Sequence, residues 1–140
     1  MTPEINKFNQ VNEIKAYINE IKDQLLDEQA LNLINELTWI KLKGLSLNNS
    51  DLFPIVFTGE GEKVLLLHGF DSCFLEYRRL VPLLKNNNKL IIPDLYGFGF
   101  CPRSSANKYG FQSLMKHLNS VLKCFSENHP IGVIGASMGG

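Results

Sequence analysis

The segment Gly135-Ala136-Ser137-Met138-Gly139 sets a serine between two glycines, directly after the apolar run Ile131-Gly132-Val133-Ile134. A serine hydroxyl is useful for acyl transfer when the backbone presents it on a sharp strand-to-helix turn. Small neighbours are required there, because larger ones would strike the strand and the chain that follows. Alone, the spacing also fits any glycine-rich turn that holds a serine. Two further segments with chemical potential also end apolar runs. In Leu67-His68-Gly69-Phe70, Gly69 lets the backbone bend back so that the Phe70 amide faces a crevice. That amide and the one of Met138 would form a pair of fixed dipoles for a developing oxyanion. The third segment, Pro93-Asp94-Leu95-Tyr96-Gly97-Phe98-Gly99, follows Leu90-Ile91-Ile92 and reads as a loop bordering the same crevice.

Other titratable groups have plainer readings. His68 reads as a structural residue of its loop rather than a base, since a histidine ending a buried strand usually has its ring nitrogens occupied locally. Asp94 reads as a loop-fixing carboxylate. The Gly97-x-Gly99 pair lacks a third glycine in dinucleotide register, where Pro102 stands, which argues against a nucleotide fold. His117, on a helix, reads as a surface residue. His129 begins the strand that leads to Ser137, and eight residues at about 3.3 Å each put it roughly 26 Å away, at the wrong end of the sheet. Phe70, Phe74, Tyr96 and Phe98 suit either an apolar pocket wall or ordinary core packing.

The elements that must position these groups follow from periodicity. Residues 4–37 read as helical, with Ile5, Phe8, Val11, Ile14, Ile18, Ile21 and Leu25 on one stripe and a second run, Leu31, Ile34 and Leu37, after Asp27-Glu28. The opposite face mixes lysines with acids, unlike a membrane-surface helix. This extension, residues 1–37, is expected to pack on its own domain or on a partner. Residues 38–43 suit a strand, the segment from Gly44 to Asp51 a turn-rich break, and Phe53 to Thr58 a second strand with Pro54 at its start or at a sheet edge. Gly59-Glu60-Gly61-Glu62 suits a hairpin turn. Beyond it, the runs Val64–Leu67, Leu90–Ile92 and Ile131–Ile134 suit strands buried on both faces, separated by helical spacing over 75–84 and 107–127. That alternation predicts an α/β fold with a parallel sheet and helices on both faces.

Composition narrows the classes. The chain has 140 residues, 44% apolar and 20% charged, as in a globular domain. Fourteen basic residues balance fourteen acidic ones, so charge gives no case for nucleic acid or an anionic membrane. The amino terminus lacks the apolar core of a signal peptide, and no apolar run approaches a membrane span. Three widely spaced cysteines, Cys73, Cys101 and Cys124, fit neither a zinc site nor a disulfide framework. A cytoplasmic protein with free thiols is the simplest expectation.

Taken together, His68-Gly69-Phe70, Asp94-x-x-Gly97-x-Gly99 and Gly135-x-Ser137-x-Gly139-Gly140 resemble the α/β-hydrolase superfamily in order and spacing, over about residues 38–140. The loops look most similar to the epoxide-hydrolase- and dehalogenase-like group. That group has aspartate at the nucleophile position; Ser137 points instead to esterase, C–C hydrolase or perhydrolase-like relatives. The resemblance implies the N-terminal half of an α/β-hydrolase sheet, mostly parallel, behind a helical extension. It implies Ser137 as nucleophile and the Phe70 and Met138 amides as oxyanion hole. His68, Gly69, Asp94, Gly97, Gly99, Gly135 and Gly139 would support the motifs. It implies no metal or organic cofactor, and a small apolar ester as substrate. The family's acid and histidine come after the serine, where residues 1–140 leave almost no room. The expectation is therefore a truncated serine hydrolase, inactive alone. Without a following helix, nothing is expected to hold Ser137 in a strained turn, and the last strand should have an unpaired edge. The alternative is a non-catalytic binding or interaction protein that keeps the half-fold.

Overall fold

The computed structural model describes residues 7–43, 45, 52–126 and 129–140. Five strands, β1 (Leu37–Lys41), β2 (Leu52–Thr58), β3 (Glu62–Leu67), β4 (Asn88–Pro93) and β5 (Gly132–Gly135), form one sheet in the order β1-β2-β4-β3-β5. β1 with β2 and β2 with β4 run antiparallel, while β4 with β3 and β3 with β5 run parallel. The sheet is thus mixed, with its parallel half carrying the three motif-bearing strand ends.

Residues 59–62 do not close a hairpin. β4 inserts between β2 and β3, and the turn is instead crowded by residues 85–88, which lead into β4: a Cβ on Gly59 would lie 2.3 Å from the Asn88 carbonyl oxygen and 2.6 Å from that of Lys85. Pro54 is inside β2, which is not an edge strand, and opposes Trp39. Its carbonyl accepts the Asp94 amide at 3.2 Å, so the position continues a ladder without needing an N–H of its own.

Consecutive residues of the inner strands go to opposite layers, as the two-residue strand period demands. Ile55, Leu65 and Ile91 join one buried cluster with Val121 and with Leu114, Leu118 and Leu122 of α4 (Phe111–Phe125). Val56, Leu66, Leu90 and Ile92 join the other, with Phe74, Tyr77 and Val81. This is why these strands read as unbroken apolar runs.

The helical reading of the amino-terminal part resolves into α1 (Lys7–Lys22) and α2 (Glu28–Asn35). Asp27 separates them as the N-cap of α2, its carboxylate accepting from the Gln29 and Ala30 amides at 3.0 and 3.2 Å. Ile18 of α1 and Leu33 and Ile34 of α2 belong to the same buried cluster as Val56 and Leu66. The expected helix start at residues 4–6, most of the 44–51 break and Glu127 lie outside the described residues. The helical spacing over 75–84 becomes a 3-10 turn, Phe74–Tyr77, and a single α-turn, α3 (Val81–Leu84), because the chain must first tie down the loop ends described below. α4 starts at Phe111, later than the spacing suggested, after Gly110 in an extended conformation. Among the described residues no helix is long and apolar enough to cross a membrane.

Candidate active site

The site is built on the carboxyl ends of β3, β4 and β5, where an open α/β sheet places its crevice. β3 and β5 pair through Leu67 opposite Gly135, and the Ala136 amide extends the ladder to the Leu67 carbonyl at 3.0 Å. The chain then turns sharply. Ser137 has φ +52°, a left-handed conformation that costs a non-glycine residue energy, and Ser137–Gly139 form one 3-10 turn. That turn holds itself: the Gly139 amide donates to the Ala136 carbonyl at 2.9 Å and Gly140 to Ser137 at 3.1 Å. The expectation that nothing would hold the serine without a longer helix is therefore corrected.

Both flanking glycines are required by space. A Cβ on Gly135 would lie 2.0 Å from the Gly139 carbonyl oxygen, and one on Gly139 would lie 2.3 Å from that of Leu67. Gly69 is a close neighbour of the serine: a Cβ there would sit 3.3 Å from the Ser137 Cβ. The Gly69 amide is taken by the Glu76 carboxylate at 2.8 Å. The next amide along, that of Phe70, and the Met138 amide donate to no protein acceptor among the described residues. Ser137 itself is exposed.

His68 is fully buried. The Leu95 amide donates to its Nε2 at 2.9 Å, so Nε2 must be the bare nitrogen and Nδ1 carries the proton it gives to the Gly69 carbonyl at 2.8 Å. Burial pushes its pKa below the ordinary histidine value. The ring is locked in one neutral tautomer, tying the β3 loop to the β4 loop.

Asp94 is also buried. One carboxylate oxygen accepts the Phe74 amide at 2.6 Å and the other the Phe100 amide at 2.7 Å. Burial raises its pKa to about 7, against the pull of those two amides. It clamps both chain segments that surround the β4 tip. Gly99 (φ +55°) has to be glycine, because a Cβ would lie 2.2 Å from the Asp94 carboxylate.

The three histidines do not converge on the serine. His129 precedes β5, at the end opposite Ser137. His117 is not a surface residue: it is completely buried, with its ring 5.0 Å from that of Phe53 and 5.9 Å from that of Tyr96. Among the described residues neither of its nitrogens has a hydrogen-bond partner, and burial drives its pKa down to about 4. The period of α4 put it on the inner face, one turn from Val121, which the sequence already showed.

A cleft of about 650 Å³ opens beside the turn, walled by Phe70, Tyr96, Phe98, Tyr109, Leu114 and Met138 among others, with no charged side chain in its lining. Phe98 packs edge-on against Phe70 at 5.5 Å and against His68 at 6.1 Å. Phe74 is instead a core residue, fully buried on the other face of the sheet. Sequence reasoning missed Glu76 and Tyr77. The Tyr77 hydroxyl donates to the Leu67 carbonyl, and lies 3.5 Å from that of Ile134, bridging the two strands that carry the site. A lone acid and a lone tyrosine in a loop give no periodic signal that would have marked them. Among the described residues no cluster of three or more metal-ligating side chains occurs. The cysteines are free, and burial raises the Cys73 pKa to about 11.

Residues 63–140 match a family model described as the alpha/beta hydrolase fold. The chain belongs to the α/β-hydrolase family. Among curated α/β-hydrolase relatives, 2-hydroxy-6-oxo-2,4-heptadienoate hydrolase of Pseudomonas putida is 33% identical over 85 residues, covering 59% of this chain and 30% of that protein. Lipase 1 of Psychrobacter immobilis is 32% identical over 103 residues, covering 72% of this chain and 32% of the lipase. Among solved structures, a meta-cleavage product hydrolase from Pseudomonas fluorescens aligns with TM-score 0.62 and 26% identity, over 73% of this chain and 36% of that one. A haloalkane dehalogenase from Bradyrhizobium elkanii, at 21% identity and TM-score 0.62 over 74% of this chain and 32% of its own, shares the α/β-hydrolase fold. The chain spans about a third of the length of these relatives.

Proposed function

We propose that residues 1–140 carry the nucleophile and oxyanion pocket of a serine hydrolase that cleaves neutral, apolar esters through an acyl-enzyme. Ser137 attacks the carbonyl carbon, and the oxygen that gains charge is held by the Phe70 and Met138 amides. As that oxygen's charge collapses back, the ester C–O bond breaks and the alcohol leaves with the proton taken from Ser137; water then adds to the acyl-enzyme, releasing the acid and returning a proton to the serine. The observation that carries this reading is the left-handed Ser137, crowded by obligatory glycines and set against Gly69. The uncharged cleft favours an apolar acyl group over a carboxylate such as the dienoate named for the P. putida relative.

The general base is then supplied from outside these residues. Taking a proton from Ser137 would require His68 to give up the Leu95 amide, and His117 and His129 lie elsewhere. That same geometry favours a second reading, a non-catalytic binding protein that keeps the half-fold. An ester assay separates them. Residues 1–140 alone are expected to leave p-nitrophenyl butyrate at the background rate. Extension with an acid and a histidine from the continuing reading frame is expected to give turnover that Ser137→Ala abolishes. Turnover by the 140-residue chain, lost in Ser137→Ala, would overturn the external base. No turnover in any extended form would favour the binding reading.

A further inference from the structure

The cleft wall is held from behind by a residue that no catalytic motif includes. Phe98 sits between Gly97 and Gly99, two residues at φ +88° and +55°. Such backbone has little intrinsic preference for one arrangement, so its position depends on what grips it. Arg103 grips both carbonyls: its Nε donates to the Gly97 oxygen at 3.0 Å and a terminal nitrogen to the Gly99 oxygen at 3.2 Å. The planar guanidinium matches two acceptors at fixed spacing, which an ammonium cannot do. The two carbonyls flank Phe98, the ring that packs against Phe70 and faces the cleft.

Arg103 is in turn tied to the amino-terminal extension. The Gln10 side-chain nitrogen of α1 donates to the Arg103 carbonyl at 2.6 Å. Ile14 on the same helix packs in the buried cluster that Phe100 also joins. α1 lies wholly outside the residues 63–140 that match the family.

We propose that Arg103 is a positioning residue that sets the Phe98–Phe70 wall of the cleft, and that α1, through Gln10, belongs functionally to the site. This rests on the reading of the cleft as an apolar ligand site. The chain would bind its apolar ligand less well when either tie is cut, with its fold intact.

The test uses the 140-residue chain and p-nitrophenyl hexyl ether, a non-hydrolysable apolar probe, with affinity measured by NMR titration. Arg103→Lys, Arg103→Met and Gln10→Ala are each expected to weaken binding about five- to tenfold, as loss of one or two net hydrogen bonds implies. Gln10→Lys, which keeps an N–H donor, is expected to bind as the native chain does. Arg79→Ala, removing an exposed charge elsewhere, serves as the control. Thermal melting of each variant separates lost wall position from lost fold, and amide exchange at Phe98 reports the wall directly. Faster exchange at Phe98 in the Arg103 and Gln10→Ala variants supports the proposal. Unchanged affinity and unchanged Phe98 exchange in Arg103→Met would overturn it. If the native chain fails to bind the ether while Phe98 exchange still responds to Arg103, the ligand reading fails and the clamp stands.

Discussion

Replacing Gly139 by alanine tests whether the serine turn is as crowded as its geometry requires. The added methyl would lie 2.3 Å from the Leu67 carbonyl oxygen and 2.9 Å from that of His68. Both are backbone atoms, so no side chain can swing away. The Leu67 oxygen already accepts from the Ala136 amide and the Tyr77 hydroxyl, and moving it weakens both. Overpacking of this kind costs roughly 1–3 kcal/mol, and a loosened pair of hydrogen bonds adds about 1 kcal/mol. We expect a total near 3 kcal/mol, seen as a fall of about 10 °C in Tm for a chain of this size. Gly69→Ala is the matched comparison. Its methyl would meet the Ser137 Cβ at 3.3 Å and the Ala136 oxygen at 3.4 Å, contacts that a few tenths of an ångström relieve. It should cost under about 1 kcal/mol. Urea denaturation of both variants by circular dichroism gives the two values. If Gly139→Ala were as stable as Gly69→Ala, the tight packing of the turn against the β3 end would be refuted.

Two further outcomes follow from other parts of the molecule. His117 has its folded pKa lowered from 6.5 to about 4, so its neutral form contributes stability that is fully present above pH 6.5 and lost as pH falls towards 4, by about 3 kcal/mol. His117→Phe should therefore gain on the native chain progressively across that window in pH-dependent urea melts, and a constant difference would contradict the buried, unpartnered imidazole; Asp94, raised from 3.8 to about 7, gives the opposite slope in both chains and cancels in the comparison. Residues Val133 and Ile134 are exposed on β5, an edge strand with no charge or proline of its own, so the 140-residue chain should self-associate and Val133→Lys should reduce it, which sedimentation velocity would detect.

Much of the site was legible because its chemistry forces residue types. Only glycine fits at 135 and 139, and a strand buried on both faces must be apolar without alternation, so the serine turn and its supporting strands appear in the sequence as patterns. The role of Asp94 as a loop clamp could be read the same way, from a lone acid at a strand tip. The order of the strands was less accessible. Gly59-Glu60-Gly61-Glu62 carries every local mark of a hairpin, yet β4 separates the two strands, because pairing is decided by which apolar faces meet and not by the turn. His117 was misread by weighing its polarity above its place on the α4 stripe. Glu76, Tyr77 and Arg103 act through backbone carbonyls and amides, and a backbone partner leaves no trace in residue types.

In the proposed site the Ser137 hydroxyl and the amides of Phe70 and Met138 surround one point. Titration of the ¹⁵N-labelled chain with butylboronic acid, in the form extended with an acid and a histidine so that the Ser137 proton has an acceptor, examines this directly, since boron forms a tetrahedral adduct with a nucleophilic serine. We expect a tetrahedral ¹¹B signal, with the largest amide shifts at Phe70 and Met138, and neither in Ser137→Ala. Shifts that spare those two amides, or that persist unchanged in Ser137→Ala, would contradict it.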